Sequence, residues 1–141
     1  METPQKPITV ECTIDASADK VWKLWTEPNH IMQWNNASPD WHTPYAENDL
    51  RQGGRFSSRM EAKDGSMGFD FGGIYDIVRT HEYISYTLDD GRKVEVIFSG
   101  EGKRTTISET FEPERTNPVE MQRSGWQAIL DNFRAYSQSA L

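Results

Sequence analysis

The sequence predicts an α+β domain in which a curved antiparallel sheet of about six or seven strands wraps around a long C-terminal helix, with two short helices after the first strand. Three observations lead to this fold class. Residues 45–112 alternate between apolar and polar side chains and are interrupted by glycine-containing turns, which is typical of strands joined by hairpins. Residues 8–34 contain one strand pattern and two short helical patterns. The chain ends in a long helical segment, which we expect to cover the inner face of the sheet.

The first strand is predicted at residues 8–14, where ITVECTI alternates between apolar and polar side chains. Ser17 is a candidate N-cap for the short helix that follows. This helix carries its large apolar residues on one side: Val21, Trp22 and Trp25. Pro28 suits the first turn of a second short helix, which ends near Trp34. Residues 35–44 contain Asn, Ser and two Pro residues and are expected to form a loop.

The strands of the predicted sheet are separated by hairpin signals, among them Asp64-Gly65 and Asp90-Gly91. Within the strands one parity is mostly apolar and is expected to face inward: Phe56, Met60, Phe69, Phe71, Tyr75, Ile84, Tyr86, Val94, Val96, Phe98 and Phe111. Regular alternation also places Ile77 on this face. The predicted inner face of the sheet is therefore rich in aromatic rings.

The C-terminal helix has a clear start signal in Asn117, Pro118 and Glu120, which suit the N-cap, the first helical position and a capping box. It is expected to run to about Ser137 and to be about 30 Å long. Residues at a spacing of four form an apolar stripe with one glycine in it: Met121, Gly125, Ile129 and Phe133. We therefore expect Gly125 to face the sheet at a close crossing.

Composition and charge narrow the functional classes. The 141 residues fit a single domain, 1–141, and carry a formal net charge of -7, which argues against a nucleic-acid partner because phosphate binding needs a basic patch. No apolar run approaches the ~18 residues of a membrane span, so no membrane partner is predicted. The N-terminus has no apolar signal core, and the single Cys12 cannot form an internal disulfide. The expected location is the cytoplasm.

Four segments in their order along the chain resemble one known family: ITVECTIDASADKVWKLWTEPNHIMQW at 8–34, GGRF at 53–56, GFDFGGIYDIV at 68–78 and QRSGWQAILDNF at 122–133. Together they resemble the SRPBCC superfamily, the helix-grip fold of steroid-transfer domains. Within it the chain looks like the bacterial branch of the heat-shock-protein-ninety ATPase activator homologues. The resemblance implies an internal cavity between the sheet and the C-terminal helix. It also allows a chaperone partner, and it extends to proteins described as polyketide cyclase-like.

Glu109 is the most informative candidate for a functional residue. It lies between Ile107 and Phe111 on the apolar parity, so regular alternation points its carboxyl inward. A buried carboxyl is costly unless it is paired or protonated, and such a group can serve as a ligand anchor or as a general acid or base. The alternative is a β-bulge or an edge position that returns the side chain to the solvent.

Two further residues could add polar groups to the cavity. His42 precedes the first hairpin and is a candidate for the cavity mouth, while the alternative for this residue is a hydrogen-bonded loop histidine. Ser58 could offer a hydroxyl or simply make space beside Phe56 and Met60. The three histidines lack the spacing of convergent metal ligands, so neither a metal site nor another cofactor is predicted.

These observations predict a protein that binds a small apolar or aromatic ligand inside its fold. The candidate ligand-binding residues are Glu109, His42, Ser58, Met60, Phe69, Phe71, Tyr75, Tyr86, Phe98, Phe111, Ile129 and Phe133. Two alternatives stay open: a cyclase- or hydrolase-like enzyme that uses Glu109 with His42 or Tyr75, and a chaperone-regulating interaction protein. The sequence assigns no catalytic residue, no ligand identity and no oligomeric state.

Overall fold

The secondary structure follows the predicted order in the computed structural model, which describes residues 6–140. The elements are β1 (Ile8–Ile14), α1 (Ala18–Thr26), α2 (Pro28–Trp34), β2 (Trp41–Asn48), β3 (Arg55–Ala62), β4 (Gly68–Arg79), β5 (Tyr83–Leu88), β6 (Lys93–Glu101), β7 (Arg104–Phe111) and α3 (Val119–Ala140). The seven strands form one antiparallel sheet in the order β1-β7-β6-β5-β4-β3-β2. The α+β class, the curved sheet, the two short helices and the long final helix are thus confirmed.

Helix α3 lies on the concave side of the sheet and also protects one of its edges. The carbonyl groups of β1 that point away from β7 accept hydrogen bonds from α3 side chains. Gln127 Nε2 donates to the backbone oxygen of Glu11 at 3.1 Å, and Arg134 Nε donates to that of Thr13 at 3.0 Å. Unpaired groups along a strand edge invite pairing with other chains, so these contacts cover that edge. No helix within residues 6–140 is long and apolar enough to cross a membrane.

The segment predicted as a loop at residues 35–44 ends earlier than expected, because β2 already begins at Trp41. This strand lies at the other edge of the sheet and pairs only with β3, with a register shift between His42 and Tyr45. Pro44 lies within that shift. A proline cannot donate a ladder hydrogen bond, but an edge strand with an irregularity tolerates it. The proline that indicated a loop therefore marks an edge strand.

Ile77 does not share the inner face, contrary to the prediction from regular alternation. The pairing of β4 with β5 shifts between Tyr75 and Ile77, so one residue of β4 is unpaired at this point. Such a bulge reverses the parity of every residue after it. Ile77 is consequently exposed, and Val78 packs against the core in its place.

The predicted stripe on the last helix is also wrong in its first half. Met121 is 60% exposed, and the space that a Cβ atom would occupy at Gly125 has no neighbour within 4 Å outside the helix. Residues four apart drift by about 40° per step around a helix, so Met121 lies about a third of a turn from Phe133. The inner side of α3 instead carries Gln122, Trp126, Ile129, Leu130, Phe133 and Ser137.

Gly125→Ala is expected to stabilise the protein by up to ~1 kcal/mol. The added methyl group meets open space, and alanine costs less backbone entropy in a helix than glycine does. Urea denaturation of the variant and the parent measures the difference. A lower denaturation midpoint for the alanine variant would contradict the open position of Gly125.

Candidate functional site

A cavity of about 300 Å³ lies between the concave face of the sheet and the three helices. Its lining residues come from every element except β1 and β6: Trp25, Ile31, Trp34, Asn35, Glu47, Asn48, Phe56, Ser58, Met60, Phe69, Phe71, Tyr75, Tyr86, Arg92, Glu109, Trp126 and Ile129. Phe69 is 48% exposed and yet lines the cavity, so it lies where the cavity meets the solvent. The volume is at the lower end of the range for small-molecule pockets, roughly 300–1,000 Å³.

Aromatic rings form the wall of the cavity on the side of β3, β4 and β5. The ring of Phe56 lies 4.8 Å from that of Tyr86, 5.1 Å from that of Tyr75 and 6.2 Å from that of Phe71. On the helix side, the Trp126 ring meets Phe71 edge to face at 6.1 Å. Rings at these distances and tilts pack favourably and leave flat faces toward the space between them.

A pair of tryptophans from the two short helices closes another side of the cavity. Trp25 and Trp34 stack with ring centroids 4.9 Å apart. The indole nitrogen of Trp34 donates to the backbone oxygen of Leu24 at 3.0 Å, so burial leaves its donor satisfied. Phe133 of α3 lies against both indoles, at 5.0 Å and 4.8 Å. The position of the tryptophan pair is thus fixed by a hydrogen bond and by the ring packed against it.

Asn48 connects the sheet to the first helix at the polar part of the lining. Its side-chain nitrogen donates to the backbone oxygen of Thr26 at 2.7 Å, and its side-chain oxygen accepts from the Tyr75 hydroxyl at 2.5 Å. Burial raises the pKa of Tyr75, and the bond to Asn48 offsets this only in part. Tyr75 is therefore a neutral phenol whose hydrogen is already donated to Asn48.

Glu109 is buried at 6% exposure and lines the cavity, so alternation correctly predicted its inward direction. Its cross-strand neighbours are Val10 and Val96, whose side chains cannot form a hydrogen bond with the carboxyl. Within residues 6–140 no group hydrogen-bonds the carboxyl. Burial raises the pKa of Glu109 from 4.5 to about 8. The carboxyl is therefore mostly protonated at neutral pH and can donate one hydrogen bond.

The structure brings eight of the twelve sequence-predicted residues together at the cavity: Glu109, Ser58, Met60, Phe69, Phe71, Tyr75, Tyr86 and Ile129. Their role as ligand contacts stays a prediction. The remaining four do not line it. His42 lies exposed on the edge strand β2 and is not brought to Glu109, so its predicted place at the cavity mouth is wrong.

Phe98, Phe111 and Phe133 are core residues, because other rings lie between them and the cavity. Phe98 packs against Trp22 and Trp25, with centroids 5.2 Å and 5.9 Å apart. Phe111 stacks on Trp126 at 3.9 Å. Phe133 lies behind the Trp25–Trp34 pair. All three point inward as predicted, but helix side chains cover them.

Several lining residues had no place in the predicted site: Trp25, Ile31, Trp34, Asn35, Glu47, Asn48, Phe56, Arg92 and Trp126. Phe56 had a usable signal, since it lies on the inner parity of β3. The tryptophans of α1 and α2 had only the apolar side of a short helix as a signal, which is equally typical of core residues. Among residues 6–140, no three His, Cys, Asp or Glu side chains form a group suited to a metal ion.

The curved sheet, the long covering helix and the cavity between them define a helix-grip protein. The family described as "Activator of Hsp90 ATPase homolog 1-like protein" matches residues 15–138, and the chain belongs to this family. The resemblance to the bacterial branch of the SRPBCC superfamily is thereby confirmed.

Solved structures of similar proteins agree with this assignment. An AHSA1-like protein from Aeromonas hydrophila is 44% identical, with a TM-score of 0.90 over 96% of this chain and 94% of that chain. A protein from Cytophaga hutchinsonii is 57% identical, with a TM-score of 0.82 over 94% and 92% of the two chains. A protein from Chromobacterium violaceum shares the fold at 21% identity, with a TM-score of 0.83 over 93% and 96%. None of the curated proteins matches the chain.

Proposed function

We propose that the protein binds a small hydrophobic or aromatic molecule in the cavity between the sheet and α3. The observation that carries the proposal is the lining itself, which combines a volume of about 300 Å³ with a majority of aromatic and aliphatic side chains and few polar groups. Concave, mostly apolar sites with a few fixed polar groups are the usual form of small-molecule sites. A flat ligand suits this cavity best, because the surrounding rings present faces and edges to it.

The lining is also held in place before any ligand arrives, which supports the same proposal. Trp34 is fixed by its bond to Leu24, and Tyr75 by its bond to Asn48. Side chains that are already immobile lose little entropy when a ligand binds. The place of action that we propose is the cytoplasm, since the single Cys12 offers no internal disulfide.

Ser58→Leu is expected to weaken binding of the neutral fluorescent probe N-phenyl-1-naphthylamine by at least about tenfold, or ~1.4 kcal/mol. Ser58 is buried and lines the cavity, so the larger side chain occupies space that the probe needs. The probe's fluorescence, titrated against protein, gives the Kd.

Ser57→Leu is the matched control, because Ser57 directly precedes Ser58 on the same strand and points to the opposite face of the sheet. This control should bind the probe as the parent does. Thermal unfolding of both variants shows whether each has kept its fold. The proposal fails if the parent shows no saturable binding, or if the two leucine variants lose affinity equally while both remain folded.

A further inference from the structure

Three polar groups on the sheet face the cavity without a hydrogen-bond partner among residues 6–140: the Ser58 hydroxyl on β3, the Tyr86 hydroxyl on β5 and the Glu109 carboxyl on β7. Glu109 and Tyr86 are 6% and 8% exposed, and both line the cavity. Neither the carboxyl nor the phenol hydroxyl makes a hydrogen bond with any group in residues 6–140. No fully buried side-chain nitrogen or oxygen in this range lacks a partner, so the free oxygens of Glu109 and Tyr86 face the open space of the cavity. The other buried phenol of the lining, that of Tyr75, differs because it donates to Asn48. Ser58 lies on β3, away from β6, whereas Glu109 and Tyr86 lie on the two strands beside β6, where one ligand group could satisfy both.

The sheet register places Glu109 and Tyr86 on the same face of the sheet, on the strands at either side of β6. Tyr86 of β5 lies opposite Val94 of β6, and Glu109 of β7 lies opposite Val96 of the same strand. The two polar residues thus flank β6 on a diagonal and share the concave face. Burial raises the pKa of Tyr86 well above its usual value, and a charge on Glu109 raises it further. Together they form one polar spot, the Glu109–Tyr86 pair, in an otherwise apolar part of the wall.

An unpartnered polar pair is unusual in surroundings this apolar. Polar groups held away from bulk water normally have a hydrogen-bond partner. Apolar side chains surround Glu109 on all sides of the strand ladder, namely Val10, Val96, Ile107 and Phe111. A leucine or a methionine there would complete the apolar wall. A ligand that enters the cavity can supply the hydrogen bonds that the protein does not.

We propose, as an extension of the proposed function, that the Glu109 carboxyl and the Tyr86 hydroxyl together bind an uncharged hydroxyl or carbonyl group of an aromatic ligand. A protonated carboxyl donates one hydrogen bond and accepts others, and a phenol hydroxyl does the same. A hydroxyl on the ligand can accept from one of them and donate to the other. A carbonyl oxygen has two lone pairs and can accept from both.

A charged group fits the same place less well. The cation of the lining, Arg92, donates from Nε to Asp90 at 2.8 Å and from Nη1 to the backbone oxygen of Glu112 at 3.3 Å. An anionic ligand group would thus have to leave water for a cation that already has partners. A cationic group at this pair would need Glu109 to give up its proton. The other carboxylate of the lining, Glu47, lies on the edge strand β2 and accepts from the Tyr45 hydroxyl at 3.0 Å. The pair therefore selects a neutral polar group.

Four naphthalene derivatives of similar size test this selectivity at pH 7 by displacement of N-phenyl-1-naphthylamine. They are naphthalene, 2-naphthol, 2-naphthoate and the ammonium ion of 2-naphthylmethylamine. We expect 2-naphthol to bind to the parent at least about tenfold more tightly than the other three, a difference of ~1.4 kcal/mol, because it alone carries an uncharged hydroxyl. Tyr86→Phe and Glu109→Met should each reduce the advantage of 2-naphthol over naphthalene to about threefold or less.

Tyr83→Phe is the matched control for these variants. Tyr83 lies on the same strand as Tyr86, but its hydroxyl donates to Glu95 on the outer face of the sheet. This variant should keep the preference of the parent. Equal affinities of the parent for naphthalene and 2-naphthol would overturn the inference while leaving the proposed function intact. Tighter binding of the naphthoate or of the ammonium probe would also overturn it. Failure of all probes to bind to the parent would remove the proposed function together with this inference.

Discussion

Glu109→Gln is expected to be more stable than its parent at pH 9. The parent should lose stability as the pH rises from about 5 to about 8, and the variant should not. Burial raises the pKa of Glu109 from 4.5 to about 8. Between these two values the folded protein keeps the proton while the unfolded chain releases it. The free energy of unfolding therefore falls as the pH rises, with a slope that approaches about 1.4 kcal/mol per pH unit from this group.

The sign of the effect follows from the proton balance at either end of this range. Below about pH 4 the carboxyl is protonated in both states, so the stabilising contribution of the neutral form is fully present. Above about pH 9 it is ionised in both states, and the buried charge costs its full amount. Cys12 and Tyr86 stay neutral across this range in the folded protein, because burial raises the pKa of Cys12 to about 12 and that of Tyr86 well above 10.

Urea denaturation at several pH values, on the parent and on Glu109→Gln, measures the difference between the two pH profiles. The other ionisable groups are the same in both proteins and cancel in this comparison. Glu101→Gln removes an exposed carboxyl at the end of β6 and should leave the profile of the parent unchanged. Parallel profiles for the parent and Glu109→Gln would show that the carboxyl has the same pKa in the folded and the unfolded protein, contrary to the effect of burial described above.

The strands could be predicted from the sequence because each has a buried and an exposed face, so that apolar and polar residues alternate along it. Helix α3 could be predicted from its start signal and its helical spacing of apolar residues. The rule of alternation failed where local irregularities break the period. The bulge after Tyr75 reversed the direction of Ile77, and Pro44 lies in an irregular edge strand where a loop was expected. Such features depend on which strand lies at the edge of the sheet, and the pattern of one strand does not contain that information.

The candidate site was predicted less completely than the fold, for a physical reason. Alternation identifies the residues that face inward, but it does not say what lies in front of them. Glu109 and Phe111 are inward neighbours on β7, yet Glu109 reaches the cavity while Trp126 covers Phe111. The placement of Trp25 and Trp34 likewise depends on how α1 and α2 pack against α3. The boundary between core and cavity therefore depends on how the helices pack, and the apolar pattern of the strands contains no information about that packing.

Phe133→Ala is expected to cost about 3–5 kcal/mol of unfolding free energy, the range typical of fully buried phenylalanines. Phe133 is completely buried, and its ring packs edge to face against Trp25 at 5.0 Å and Trp34 at 4.8 Å. Because both indoles also line the cavity, truncation would leave a void directly behind that lining. The indole of Trp34 is held by its bond to Leu24, which limits how far the pair can move to fill the void.

Urea denaturation of Phe133→Ala measures this cost, with Met121→Ala on the exposed side of the same helix as the control. Met121 is 60% exposed, so its truncation should change the unfolding free energy by no more than about 0.5 kcal/mol. If Phe133→Ala does not fold, the smaller truncation Phe133→Leu should still fold and lose a measurable part of the stability. A loss below about 1 kcal/mol for Phe133→Ala would mean that the tryptophan pair collapses into the vacated space. In that case the cavity wall behind Trp25 and Trp34 would be adaptable, contrary to the fixed lining described here.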